Sequence, residues 1–175
     1  MRAGLFTLTG VLFFGHWMLA DPSFEVTKAI TDTKYVLLFS AALLTLALAL
    51  TVFGRMLGGR WVLRLSLLAA AGTTLGGIAN VVEDGFDMGW AFWGFILSLL
   101  IINPALIALT AVITFTACGR QRLLALIPAG TLAAIIFYVH FGGPLMVAAW
   151  LAAAAVSLTL PTRTAAPKMP LDHQR

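Results

Sequence analysis

Six polar side chains stand out in a chain in which charged residues make up only 10% of the sequence. They are two histidines, two carboxylic acids and two carboxamides: His16, His140, Glu83, Asp84, Asn80 and Asn103. Imidazole and carboxylate groups together can hold a divalent metal, relay protons or bind a polar head group. The chain has no HxxxH or HExxH spacing, so no local motif indicates a metal site, and none indicates a cofactor.

Five of these groups are predicted to lie at one level, near the outer ends of the first, third and fifth helices. Counted at 1.5 Å per residue from the arginine that begins each helix, His16 rises about 21 Å, Asn80 about 24 Å and His140 about 27 Å. Glu83 and Asp84 follow Asn80 by one turn. We therefore expect an outward-facing polar pocket lined by His16, Asn80, Glu83, Asp84 and His140. In the alternative interpretation, each group separately meets interfacial water or a backbone carbonyl.

Small residues predict which helix faces pack closely below this pocket. Gly72 and Gly76 lie on the same face of the third helix as Asn80, in a GxxxG pattern that lets another helix approach. Ala129 and Ala133 form a similar face below His140 on the fifth helix. Ala47, in a leucine-rich part of the second helix, is expected to face lipid.

Asn103 lies deeper, near the centre of the fourth helix and directly before Pro104. It shares a helix face with Thr110 and Thr114. A polar residue at that depth is a functional candidate. The alternative is a hydrogen bond to a neighbouring helix beside a proline kink.

The elements that must position these groups are membrane helices. Hydrophobic residues make up 61% of the chain and the mean hydropathy is +0.98, whereas a soluble domain carries roughly 25% charged residues. Apolar runs of about 20 residues match the hydrocarbon thickness of a bilayer, and in lipid each run must satisfy its own backbone hydrogen bonds. The sequence predicts an all-α integral membrane protein, a bundle of six transmembrane helices over Leu5–Ala20, Tyr35–Gly54, Trp61–Val82, Phe92–Ala117, Leu123–Phe141 and Leu145–Leu160.

The distribution of charge predicts the orientation. If the N-terminus is inside, nine of the eleven Lys and Arg residues lie at cytoplasmic ends and six of the seven acids lie outside, as the positive-inside rule requires. Both termini are then cytoplasmic, and residues 1–161 form the membrane domain. The proline-containing residues 162–175 are expected to form a disordered cytoplasmic tail. The basic surface then faces anionic lipid and does not indicate nucleic acid. The expected location is the cell membrane, specifically a bacterial inner membrane.

The N-terminal segment also has the form of a signal peptide, with Arg2, an apolar run and the sequence "MLADP". Cleavage there would leave five spans. Met18 and Pro22 flank the site and argue against cleavage.

Two segments of the chain resemble each other weakly. The 22 residues from Arg64 and those from Arg122 align without gaps and share nine identities. Helices rich in Ala and Leu share letters by chance. The pattern nevertheless predicts a weak repeat of a helix hairpin.

Three classes of function remain open. The first is a small binding or transport subunit that takes a small amphipathic ligand into the outer pocket. The second is a membrane-embedded enzyme acting on a lipid or isoprenoid, with Glu83 or Asp84 as general acid and a histidine partner. The third is an assembly subunit that packs against a partner membrane subunit. Motifs for nucleophilic catalysis, phosphate binding and dinucleotide binding are missing from the sequence, and the first class fits the predicted pocket best.

Overall fold

The computed structural model describes residues 1–19 and 33–159 of the chain, with only the backbone at 33, 120, 138 and 139. Three features of the sequence lie outside the described residues. They are the Asp21-Pro22 end of the signal-peptide-like segment, the first outer loop and the predicted tail at 162–175.

Every regular element in the described ranges is helical. The six α-helices are α1 (Arg2–Leu19), α2 (Thr33–Leu57), α3 (Arg60–Asn80), α4 (Phe92–Thr116), α5 (Leu126–Ile136) and α6 (Gly143–Thr159). Short helical turns join or extend them: π turns at Val81–Gly85 and Tyr138–Gly142, and 3₁₀ turns at Gly89–Ala91 and Gly119–Ala125.

The α-helices correspond closely to the predicted spans, except at the fifth. There a single helix over Leu123–Phe141 was expected, and the structure instead has a 3₁₀ turn, the short helix α5 and a π turn. Pro128 lies in the first turn of α5, directly after the 3₁₀ turn Gly119–Ala125, and its ring nitrogen cannot donate a hydrogen bond to that turn.

Four segments are long and apolar enough to cross a membrane: Lys34–Leu57, Arg60–Gly85, Gly89–Thr116 and His140–Thr159. They indicate a helical membrane protein, because apolar runs long enough to cross a bilayer are typical of transmembrane helices. The helix Gln121–Ile136 is apolar but shorter than these four.

Helices that are consecutive in the chain pack against each other, and α1 also packs against α6, so the described helices close into a ring. Neighbours run antiparallel. The contacts between α3 and α4 show this direction. Gly72 of α3 lies against Ile101 and Ile102 of α4, and Gly76, one turn later on α3, lies against Ser98, which comes earlier on α4.

The two ends of this ring differ in charge. The basic end contains the N-terminus of α1, the α2–α3 and α4–α5 turns and the C-terminus of α6. The acidic end contains the α3–α4 turn with Glu83, Asp84 and Asp87, together with the α5–α6 turn and the start of α2.

The basic half of the ring is filled by aromatic and aliphatic side chains. Trp150 of α6 is completely buried between Phe6 of α1, at a ring-centroid distance of 5.4 Å, and Phe53 of α2, at 6.3 Å. Gly10 lets α1 approach α6 here, since a Cβ at Gly10 would lie 3.2 Å from the Cα of Val147. Ala47 also packs into this core and is only 7% exposed. The expectation that it faces lipid is therefore wrong.

The two segments related by the sequence alignment both end in a π turn at the acidic end. These turns, Val81–Gly85 and Tyr138–Gly142, lie within one residue of equivalent alignment positions. After the second of these π turns, Gly143 and Pro144 begin α6. A Cβ at Gly143 would lie 2.5 Å from the Trp17 side chain, so glycine is required there for close approach to α1.

Candidate functional site

The acidic half of the ring contains a cavity of about 340 Å³. Side chains from α1, α2, α4 and α5 surround it. Its lining residues are Phe13, Phe39, Leu43, Phe95, Ser98, Leu99, Ile102, Asn103, Ile135 and Ile136. We call this space the central cavity.

Three phenylalanines from three helices form one wall of the central cavity. Phe39 of α2 makes an edge-to-face contact with Phe13 of α1, with centroids 6.4 Å apart, and a tilted contact with Phe95 of α4 at 6.3 Å. Ring pairs at these distances attract each other beyond the burial of their area. These contacts stabilise the positions of the three rings, which form this side of the cavity.

The cavity reaches the surface of the bundle beside α5. Ile136 lines it and is 60% exposed, and Phe137 behind it ends the helix with φ −102° and ψ 27°. The α-helix α5 ends at Ile136 and is followed by Phe137 and the π turn Tyr138–Gly142. The exposure of Ile136 shows that one edge of the cavity lining lies at the surface of the bundle.

Two polar side chains lie in this mostly apolar lining. The Ser98 hydroxyl donates to the carbonyl of Phe95 at 2.7 Å, so its hydrogen is already used. Asn103 Oδ1 is buried and accepts no hydrogen bond from the described residues. An unpaired buried acceptor costs about 1–3 kcal/mol. Asn103 lies about 16 Å along α4 from Phe92 at 1.5 Å per residue, which is near the middle of a bilayer core of about 30 Å.

The lining limits the chemistry of the cavity. Its residues in the described part of the chain include no Asp, Glu, His, Cys, Lys or Arg, so none of them can exchange a proton with a ligand near neutral pH. What they provide is an apolar, aromatic surface and one unused hydrogen-bond acceptor. This combination is suited to binding, because orientation in an apolar pocket is set by a few placed polar groups.

The predicted stripe from Asn103 to Thr110 and Thr114 does not extend the site. The Thr110 hydroxyl donates to the Leu106 carbonyl at 2.8 Å, and the Thr114 hydroxyl donates to the Thr110 carbonyl at 2.8 Å. Both threonines satisfy their hydrogen bonds within α4. Asn103 is thus the polar group of this helix that the structure leaves available.

His16 does not line the central cavity itself but packs against one of its lining residues. Its ring stacks on Phe39 with centroids 4.8 Å apart and meets the edge of Tyr35 at 6.1 Å. Since Phe39 lines the cavity, His16 lies directly behind one of its walls.

Asn80 connects α3 to α2. It is buried, and its Nδ2 donates to the carbonyl of Val36 at 3.2 Å and to the Ser40 hydroxyl at 3.0 Å. Both amide hydrogens are used in these bonds. His16 and Asn80 therefore both contact the first turns of α2, but on different faces of that helix.

Glu83 and Asp84 lie on the π turn that extends α3, and both are partly exposed. The turn closes where the N–H of Met88 donates to the carbonyl of Glu83 at 3.1 Å. Partial exposure gives the two carboxylates access to solvent, which offsets the unfavourable helix macrodipole at this C-terminal position.

His140 lies on the other π turn and is exposed, with its ring 5.8 Å from Phe141. Within the described ranges, no three His, Cys, Asp or Glu side chains lie close enough together to hold a metal ion. Among the described residues, the ionisable members of the predicted outer pocket therefore do not form a metal-binding group of three or more.

The predicted packing glycines, Gly72 and Gly76, are on the face of α3 that contacts α4. A Cβ at Gly72 would be 2.8 Å from Ile102 Cγ1, and one at Gly76 would be 2.7 Å from Ser98 Oγ. Ala129 and Ala133 are only partly buried. At Gly130, α5 lies close to α6, because a Cβ at this position would be 3.1 Å from the Cβ of Ala149.

Sequence reasoning selected Asn103 but missed Phe13, Phe39, Phe95 and Ser98, which complete its surroundings. Each of these residues is an ordinary core residue in its own helix. A partial signal was present, because Phe13 lies one turn before His16 on α1. No pattern within one helix indicates that rings on three helices will meet.

Comparisons with protein-family models, curated proteins and solved structures find no match to this chain.

Proposed function

We propose that this protein is a binding or transport-type membrane subunit that accommodates a small apolar or amphipathic molecule in the central cavity. The observation that carries the proposal is the buried, unpaired Oδ1 of Asn103 in an otherwise apolar, aromatic cavity. A ligand with one hydroxyl or N–H group would pair with this acceptor and bury its remaining surface against the phenylalanine wall.

In this proposal all six helices span a bacterial inner membrane, with both termini and the basic end in the cytoplasm. The alternating antiparallel order of the helices and the excess of arginine at one end support this topology. The cavity then opens in the outer half of the membrane. The site lies deeper than the outer pocket expected from the sequence, and His16 stacks on Phe39, one of its lining residues.

A binding role is favoured over the enzyme alternative because the lining residues carry no ionisable group. Glu83 and Asp84, the acids required by that alternative, lie on the partly exposed π turn.

The test compares the small molecules that co-purify with two variants of α4. Leu99 lines the cavity, whereas Leu97 is 50% exposed on another face of the same helix. Leu99→Trp should fill the space and remove the ligand, and Leu97→Trp should retain it. Each protein is purified in the same detergent, extracted with organic solvent and analysed by mass spectrometry.

The expected result is a compound present at near-stoichiometric amount in wild type and Leu97→Trp, and reduced at least tenfold in Leu99→Trp. Identical extracts from the two folded variants would contradict the proposal. Thermal unfolding of each sample checks that the introduced tryptophan has not unfolded the protein.

A further inference from the structure

A second recess lies on the opposite half of the molecule, between α5 and α6. This groove has a volume of about 630 Å³ and is separate from the central cavity. Leucine side chains of α5 and the turn before it form one wall, and alanines of α6, including Ala148 and Ala152, form the other. At its floor, a Cβ at Gly130 would lie 3.1 Å from the Cβ of Ala149.

The groove is apolar along its length and polar only at its basic end. Its two polar lining residues are Gln121 and Thr159, on the turn before α5 and at the end of α6. Arg120 and Arg122 flank Gln121 in the sequence, and the Arg122 side chain is exposed. Arg122 Nε donates to the carbonyl of Ala117 at 2.9 Å, which anchors this side chain at the end of α4.

The groove is as long as one membrane leaflet is thick, plus about one helical turn. From Ala149 at the floor to Thr159 at the mouth, α6 rises about 15 Å. The hydrocarbon of one leaflet is about 15 Å thick, half of a core of about 30 Å. The groove extends one further turn to Leu145.

The chain beyond Thr159 does not supply a matching occupant. Its sequence, "LPTRTAAPKMPLDHQR", contains no apolar run of this length, and it adds Arg163, Lys168 and Arg175 against Asp172. In the sequence, the first of these basic residues comes four positions after Thr159. An occupant with one apolar chain and one negative head group matches both the apolar walls of the groove and the basic residues at its end. Basic residues at a membrane surface attract anionic head groups.

We propose that the α5–α6 groove binds an anionic phospholipid of the leaflet at the basic end. One acyl chain lies along the leucine and alanine walls, and the phosphate of the head group pairs with Arg122. This site is independent of the proposed function and would persist if the central cavity bound nothing.

The test measures lipid binding to the full-length protein by native mass spectrometry in detergent. Purified protein is titrated with phosphatidylglycerol or with phosphatidylcholine of the same chain length. Wild type should bind phosphatidylglycerol about fivefold more tightly, since about 1 kcal/mol per arginine corresponds to that ratio.

Two matched pairs of variants locate the site. Ala152 lines the groove and Ala155 does not, although both are exposed alanines of α6. Ala152→Trp should reduce binding of both lipids, and Ala155→Trp should bind them as wild type does.

Arg122→Gln should remove the preference for phosphatidylglycerol while Arg122→Lys keeps it. If Ala152→Trp does not fold, Ala148→Phe fills the same groove from another turn.

Equal lipid binding by Ala152→Trp and Ala155→Trp would overturn the proposal, as would equal binding of the two lipids by wild type. A wild-type dimer that only Ala152→Trp dissociates would also overturn it, because the groove would then hold a second copy of the chain.

Discussion

Replacing Asn103 by leucine should make the ligand-free protein more stable while removing its ligand. Asn103 Oδ1 is buried without a hydrogen-bond partner in the described structure. Leucine has a similar size and needs no partner, so Asn103→Leu removes the cost of the unpaired acceptor. A residue that lowers stability and also provides the available polar group of a cavity is expected at a binding site, where local rules are violated for function.

The size of the effect follows from the burial of this one atom. An unsatisfied buried acceptor costs about 1–3 kcal/mol, so the free energy of unfolding should rise by about that amount. For a chain of this length, 1 kcal/mol corresponds to about 2–4 °C in Tm. Asn103→Leu should therefore raise the Tm by about 2–12 °C on these scales.

The assay is thermal unfolding in detergent, followed by the fluorescence of the five tryptophans, after the ligand has been removed. Thr110→Val is the control on the same helix. The Thr110 hydroxyl already donates to the Leu106 carbonyl, so its removal should change stability by only about 1 kcal/mol or less.

A lower Tm for ligand-free Asn103→Leu, by several degrees, would refute this reasoning, because Asn103 would then be making a structural hydrogen bond. Full retention of the co-purifying molecule by Asn103→Leu would show that the ligand does not use this acceptor.

Two further predictions test the packing and the topology. Gly76→Leu should lower the free energy of unfolding by about 1–3 kcal/mol or more, because a Cβ at this position already lies 2.7 Å from Ser98 Oγ. Ala41→Leu, at an exposed position on α2, is its control, and equal tolerance in thermal unfolding would contradict the close packing of α3 on α4. For topology, a cysteine is placed at Met88 or Arg60 on a Cys118→Ser background in intact cells. A membrane-impermeant thiol reagent should label Met88→Cys, at the acidic end, and not Arg60→Cys; the reverse pattern would invert the proposed orientation.

Helix periodicity predicts how deep a polar residue lies in the bundle, but not which residues of other helices it contacts. The spacing of His16, Asn80 and His140 predicts that all three lie near one end of the bundle, since depth depends only on the rise per residue. Their partners depend on how each helix is rotated and on which helix lies next to it. Asn80 bonds to α2 and His16 stacks on Phe39 of the same helix. The misjudged exposure of Ala47 has the same origin, because a leucine-rich helix carries little polarity to distinguish its lipid face from its packed face.

The sequence by itself determined that this is an all-helical membrane protein, where most of its helices begin and end, and that Gly72 and Gly76 suit close packing. These features are local: an apolar run must be long enough for the bilayer and must satisfy its own backbone hydrogen bonds. Only the tertiary structure decided that Phe13, Phe39 and Phe95 line one cavity with Asn103, and that the exposed Ile136 of α5 forms part of its edge. The cavity is formed by side chains distant in sequence, and its existence depends on the volume that four helices together fail to fill.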